Sequence, residues 1–276
     1  MYLITGTKGF IASHLCERLD NFMECNEMFD PSKFTGDLPE AVFHLGAISA
    51  TTTTDTRKLA HWNILSSCEL LEWCVERDIP FIYVSSSSVY GLGENGFAED
   101  APMVPMNYYA ISKASFDMFA LQKIKDKPNA KIFGLRYFNV YGSNEHNKGD
   151  MASPVCKFIK QAREEGEIKV FEGSEEYIRD FISVDDVVDI TLAAKDFKES
   201  GVYNVGTGVT RTFLDVAKII SERTGAKITE IPFPSHLVGK YQAFTKSDPT
   251  KLLNAYKHTF LTLEQGIEKY FDKITW

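Results

Sequence analysis

The stretch from Met1 to Cys16 limits the fold more than any other. Tyr2-Leu3-Ile4-Thr5 is a short apolar run that breaks at Gly6-Thr7-Lys8-Gly9, and Phe10, Ile11, His14, Leu15 and Leu19 then recur at helical spacing. Strand, glycine turn and helix in that order form the opening unit of a parallel α/β sheet. In Gly6-x-x-Gly9-x-x-Ala12, the two glycines let backbone N–H groups approach a pyrophosphate. The helix N-terminus adds partial positive charge, and Ala12 is small enough for close helix–strand packing. The same residues would also suit a plain tight turn. The strand before and the helix after favour a dinucleotide site.

Strand and helix patterns go on alternating. Ala41–Leu45, Phe81–Val84 and Lys131–Tyr137 read as strands; Leu59–Arg77 and Tyr108–Lys125 read as helices. Asn26–Asp30 and Lys33–Thr35 are fainter strand candidates. This predicts a Rossmann-like, doubly wound parallel sheet, shortened around its second and third strands. After residue 143 the elements are shorter. Helices are expected over Pro154–Glu165, Val184–Asp196, Phe213–Thr224 and Leu263–Ile274, with strands at Lys169–Glu172, Phe181–Ser183, Val202–Val205 and Ile228–Pro232. At about 150 residues per domain, 276 residues suggest about two units. The expected division is 1–143 for dinucleotide binding and 144–276 for a smaller substrate-binding α/β part, packed closely on the first.

Charge narrows the partners. With 30 Lys+Arg against 38 Asp+Glu the net charge is −8, so nucleic-acid or anionic-membrane binding is not expected. No apolar run approaches the roughly 20 residues that span a bilayer. No secretory leader is visible, and the five cysteines include no C-x-x-C pair. Reduced thiols, a cytoplasmic location and no metal site are expected.

Two further features carry chemistry. Tyr109 and Lys113 stand at i and i+4 on one helix face. An ammonium there would lower the phenol pKa, so that Tyr109 could take a proton from a substrate hydroxyl as hydride leaves the same carbon. Lys113 would also hold ribose hydroxyls. Ser86 follows the Phe81–Val84 strand, where its hydroxyl lies at the mouth of the crevice. Asp30, at the end of the candidate second strand, would bind the adenosine ribose and repel a 2′-phosphate, favouring NAD over NADP; Lys33 opposes this. Asp37 and Leu38 would meet the adenine.

Together, Thr5-Gly6-x-x-Gly9-Phe10-Ile11-Ala12-Ser13, Ser86, Val89-Tyr90-Gly91, Tyr109/Lys113 and Arg136-Tyr137-Phe138-Asn139-Val140-Tyr141-Gly142 resemble the extended short-chain dehydrogenase/reductases over the whole chain. Lys148 to Ser153, Phe171 to Glu175 ahead of Arg179-Asp180-Phe181, and Gly239 to Thr245 look most like the members that epimerise an ADP-activated heptose. The resemblance implies an enzyme, able to form a homo-oligomer, that uses NAD or NADP on a nucleotide-diphosphate sugar, and the resemblance by itself favours NADP. Tyr109 and Lys148 match its two acid/base residues, Ser86 the assisting hydroxyl and Lys113 the ribose lysine. Phe10, Ile11, Asp30, Leu45, Gly46, Ala47, Ser49, Asn63, Val140 and Lys148 match cofactor positions. Asn139, Asp150, Lys157, Phe171, Glu172, Gly173, Ser174, Arg179 and Tyr241 match sugar-nucleotide positions, with Asp150 and Lys157 departing from the residue types usual there. Arg179 also offers a planar fork suited to a diphosphate. The competing readings are an epimerase or reductase of another nucleotide-sugar, and a non-catalytic NAD(P)-binding sensor. A dehydratase would carry an Asp-Glu pair where Ser87-Ser88 stand.

Overall fold

The computed structural model describes residues 1–234 and 242–274. In chain order the elements are β1 (Tyr2–Thr5), α1 (Phe10–Cys16), β2 (Phe22–Cys25), β3 (Val42–His44), α2 (Thr56–Leu59), α3 (Ser66–Val75), β4 (Phe81–Ser86), α4 (Tyr108–Asp126), β5 (Ile132–Tyr137), β6 (Asn139–Tyr141), α5 (Pro154–Glu164), β7 (Glu167–Phe171), β8 (Ile178–Ser183), α6 (Val184–Ala193), β9 (Gly201–Val205), β10 (Thr210–Thr212), α7 (Phe213–Thr224), β11 (Lys227–Ile231), α8 (Thr250–Ala255) and α9 (Leu263–Tyr270). The wide π-helical turn Ala60–Leu65 joins α2 to α3.

Among the described residues, six parallel strands form the main sheet in the order β2-β1-β3-β4-β5-β9. The order reverses beside β1, and such a reversal opens a crevice at the carboxyl ends of the strands. β1 and β3 lead into Gly6 and Gly46 at that point. Ile4, Phe43, Ile82 and Leu135 form the middle of a core that continues into Val188 and Tyr203 of the second half. The second half therefore completes the first sheet through β9. It also builds two small sheets, β10-β8-β6 and β11-β7.

Two expected strands are corrected. The second strand is Phe22–Cys25, in register with Tyr2–Thr5, and Asn26–Asp30 lies beyond its end. The expected third strand, Lys33–Thr35, is not a strand: Pro31–Lys33 form a single 3-10 turn. Asp30 caps that turn, its Oδ1 accepting from the Ser32 N–H at 3.0 Å and the Ser32 hydroxyl at 2.6 Å. An Asp cap before a Pro that lacks an N–H favours a helical turn over a sheet ladder. Phe29 and Phe34 then pack on Trp73, each at 4.9 Å between ring centroids, and cover the α3 face beside the sheet edge. The short elements β6, β10 and α8 have too few residues to show a periodicity. No described helix is long and apolar enough to cross a membrane.

Candidate active site

The crevice floor is a crossing of two glycines. Gly6 has φ +71°, and a Cβ there would lie 2.6 Å from the Gly46 Cα. Only glycine meets both the backbone angle and the approach. The Gly46 N–H donates to Thr5 Oγ1 at 2.8 Å, and His44 bridges Thr5 Oγ1 and Ser67 Oγ, each at 2.8 Å. Burial drags the His44 pKa down to about 3, so its ring is neutral over the physiological range. Thr7 ties the glycine turn to the end of β2 through Glu24 at 2.6 Å and Asn26 at 3.1 Å.

Asn63 lies behind the next stretch of wall. Its side chain accepts from the Ile48 N–H at 2.9 Å and donates to the Ile48 carbonyl and Ser112 Oγ, both at 3.0 Å. It pins the segment after Gly46 onto α4 and does not line the cavity. Its position in the π-helical turn fits the tendency of such turns to accompany functional sites.

Ser86 is the last residue of β4, and Tyr109 and Lys113 share the buried face of α4. Asn107 caps that helix, accepting from the Ala110 N–H at 2.8 Å. The Tyr109 phenol faces the Ser86 hydroxyl. Burial raises its pKa, the Ser86 hydroxyl pulls it back, and the Asp117 carboxylate pushes it further up. Lys113 donates to the Val84 carbonyl at 2.7 Å. Burial holds its pKa down to about 8, against the attraction of Asp117. The expected lowering of the phenol pKa by Lys113 is thus absent here. The ammonium is docked on a strand carbonyl, and burial keeps the phenol pKa above its ordinary value.

Beneath these residues is a charged network that the sequence did not reveal. Asp117 and Arg136 are buried and meet at 2.8 Å. Arg136 also donates to the Tyr90 hydroxyl at 2.7 Å and the Glu99 carbonyl at 3.0 Å, and Tyr90 donates to Asn204 at 2.7 Å. Removing one partner of such a pair typically costs about 3–5 kcal/mol. Its members come from separate segments, so no local spacing marks them.

A cavity of about 920 Å³ runs along the crevice. Its wall brings together Gly6, Gly9, Phe10, Ile11, Leu45, Gly46, Ala47, Ser49, Ser86, Tyr109, Lys113, Val140 and Lys148. Cys25, the last residue of β2, and Asn26, Glu27 and Met28 beyond it line the opposite end. A strand expected over Asn26–Asp30 hides these residues in the sequence. Asp30, Asp37, Leu38, Asn139, Lys157, Arg179 and the Phe171–Ser174 segment are not on this wall. The Lys148 Nζ lies 5.0 Å from the Phe10 ring centroid and 3.7 Å from the buried Glu145 carboxylate.

Two of the remaining expected sugar-nucleotide residues, Asn139 and Arg179, lie beside and on β8. Asn139 donates to the Asp180 carbonyl at 3.2 Å and to Thr245 Oγ1 at 2.9 Å. Arg179 donates to the Ile178 carbonyl at 3.0 Å and to the Gln242 carbonyl, and its guanidinium lies 5.5 Å from the Phe213 ring centroid. The Asp180 carboxylate, another residue not anticipated, accepts from the N–H and hydroxyl groups of both Thr207 and Ser247 and from the Gly208 N–H. It anchors the Gln242–Ser247 segment. Phe171 packs on Phe233 at 5.5 Å, and the Ser174 hydroxyl is buried without a hydrogen-bond partner among the described residues. Lys157 is exposed on α5. Tyr241 and the side chains of Asp150 and Lys33 lie outside the described residues.

The glycine crossing, the strand-end serine and the Tyr–Lys helix suit a nicotinamide dinucleotide. Comparison with known proteins agrees. The ADP-L-glycero-D-manno-heptose-6-epimerase of Alkalilimnicola ehrlichii is 39% identical, over 99% of this chain and 97% of its own. That alignment spans 313 positions against 276 residues here, so the relative carries residues that this chain lacks. The crystal structure of the Helicobacter pylori enzyme of the same name superposes with a TM-score of 0.85 at 27% identity, over 98% of this chain and 94% of that one. A UDP-glucuronic acid 4-epimerase variant from Bacillus cereus, complexed with NAD and a fluorinated UDP-sugar, gives 0.83 at 26% identity, over 99% and 98%. The family described as NAD dependent epimerase/dehydratase matches residues 30–206. With its parallel sheet, its glycine crossing and its Ser86–Tyr109–Lys113 site, this chain belongs to the NAD-dependent epimerase/dehydratase family.

Proposed function

We propose that the protein is a nucleotide-sugar epimerase that converts ADP-D-glycero-D-manno-heptose to its L-glycero isomer by transient oxidation and re-reduction at C6. The observation that carries this reading is one cavity lined both by Ser86, Tyr109 and Lys113 and by a second proton-bearing group, Lys148, on a separate segment. The full-length likeness to heptose epimerases supports the substrate.

The residues fit a bound dinucleotide. Gly6, Gly9 and the start of α1 would take its pyrophosphate, and Lys113 its ribose hydroxyls. When bound, it supplies a hydride acceptor and donor fixed on one side of the sugar. Inversion therefore requires the ketone to present its other face. Tyr109, assisted by Ser86, would exchange a proton with the substrate oxygen in one presentation, and Lys148 in the other. The cycle is redox neutral. NAD is favoured over NADP, now on a different residue: Glu27, on the cavity wall beyond β2, replaces Asp30 as the acid that would meet the ribose and repel a 2′-phosphate.

The test is an NMR assay of the purified protein with ADP-D-glycero-D-manno-heptose and no added reductant, after loading with NAD or with NADP. The L-glycero isomer is expected, with NAD the better supporter. Cofactor binding without conversion would move the substrate to another nucleotide-sugar. No cofactor binding would overturn the reading.

A further inference from the structure

The segment between β6 and α5 carries Lys148, and one buried carboxylate gives it shape. Glu145 is 1% exposed. Its Oε1 accepts from the Gly142 N–H at 3.0 Å and the Ser153 hydroxyl at 2.7 Å, and its Oε2 accepts from the Ser153 N–H at 2.6 Å. Gly142 directly follows β6, and Ser153 caps α5 by accepting from the Cys156 N–H at 3.2 Å. Glu145 therefore ties the two ends of the segment together. The Lys148 Nζ stands 3.7 Å from the same Oε2, with the Phe10 ring 5.0 Å away.

Burying a carboxylate is costly unless it is hydrogen-bonded and paired. Three neutral donors engage both carboxylate oxygens, but none of them neutralises the charge, and the cation it faces is Lys148. Lys148 is partly open to the cleft, whereas the Glu145 side chain is sealed behind it. A flexible four-carbon stem holds no fixed position by itself.

We propose that Glu145 is a positioning residue for the reaction, its anchored carboxylate holding the Lys148 amine at the cleft between Phe10 and the substrate. The proposal rests on the assignment of Lys148 as the second acid/base group. Lys148 gives one proton to the substrate oxygen in one direction and takes it back in the other, while Glu145 keeps its charge throughout. Because its three donors are fixed, the carboxylate does not reorganise as the proton moves.

The test uses the full chain with its cofactor. Lys148→Met is expected to abolish nearly all turnover; full activity in that variant would refute the assignment of Lys148 and this proposal with it. Given that loss, Glu145→Gln is expected to lower kcat about tenfold or more while leaving the KM for the nucleotide-sugar within about twofold. It is also expected to speed acylation of Lys148 by an amine-selective reagent, read by peptide mass spectrometry. Glu145→Asp keeps the charge and is expected to restore most of kcat at a similar loss of thermal stability. A purely structural carboxylate predicts otherwise: activity in both variants would follow the folded fraction, with Lys148 labelling unchanged. That result, or an unchanged kcat in folded Glu145→Gln, overturns the proposal. If Glu145→Gln does not fold, Lys148 labelling in folded Glu145→Asp decides: faster acylation than in the parent, from the carboxylate drawn back by one methylene, supports the proposal, and an unchanged rate refutes it.

Discussion

Ser86, Tyr109 and Lys113 stand on a central strand and a long capped helix, braced from below by the Asp117–Arg136 pair. Asn26, Glu27 and Met28, at the other end of the same cleft, follow an edge strand and are exposed, with only the turn at Pro31–Lys33 before β3. Two-sided sheet packing and buried charge make the Ser86–Tyr109–Lys113 end stiff. The Asn26–Met28 end follows the edge strand β2, with no strand outside it among the described residues. Chemistry that depends on placement within fractions of an ångström sits where neighbours are fixed. Binding of a ribose tolerates a slighter frame.

The contrast has measurable consequences. The largest is expected at the stiff end: Tyr109→Phe should lower kcat about 10²- to 10⁴-fold and leave the melting temperature and cofactor binding close to the parent values. Equal loss of binding would show that the phenol braces the site and does not act in it.

Gly6→Ala, where the two ends meet, should destabilise the fold by about 2–4 kcal/mol and abolish cofactor binding, because the new methyl meets Gly46 Cα at 2.6 Å with φ at +71°. Denaturant unfolding checks the first effect. A stable, cofactor-binding variant would mean that the crossing is less rigid than its geometry implies.

Lys113→Met sharpens the comparison through pH. Lys113 has a pKa of about 8 in the folded chain, against 10.5 for a lysine free in water. Below pH 8 it is protonated in both states, and the folded chain bears the cost of the buried charge. Between pH 8 and 10.5 the unfolded chain binds more protons, so the parent gains stability relative to the variant as pH rises. The variant should therefore be more stable by about 1–3 kcal/mol at pH 7, though inactive, and the gap should close above about pH 8. Thermal unfolding at about pH 7 and about pH 9.5 measures it; a gap that widens with pH contradicts the burial argument.

The smallest effect is expected at the loose end. Asp30→Ala should change NAD affinity by no more than about twofold, because its Oδ1 is engaged by Ser32 and it is off the cavity wall. A titration showing a tenfold loss would restore Asp30 to the ribose site.

Ser86 at a strand end, the Tyr109/Lys113 pair and the Gly6 turn are legible in the sequence because strand ends, i, i+4 spacing and turn chemistry are local properties. β2 is not, because Phe22–Cys25 is short and half-exposed, and only its register with β1 distinguishes it from the residues that follow. Asp30-Pro31-Ser32 is legible as a turn, because an Asp before a Pro is a local signal. Glu145 gives no signal at all, because an acidic residue in a polar loop looks solvated until the chain folds around it; Asp180 stands in the Arg179-Asp180-Phe181 run, but nothing local marks its carboxylate as a buried hub.

What the sequence determined by itself was the βαβ start, the alternation that makes the sheet parallel, and the set of side chains able to bind a dinucleotide and move protons. Tertiary structure alone decided which charges are buried and against what. It turned Lys113 onto the Val84 carbonyl, set Asp117 under the phenol, and locked Glu145 between Gly142 and Ser153. The physical reason is that periodicity and turn chemistry act over a few neighbouring residues, whereas the cost of desolvating a charge depends on partners brought from distant parts of the chain.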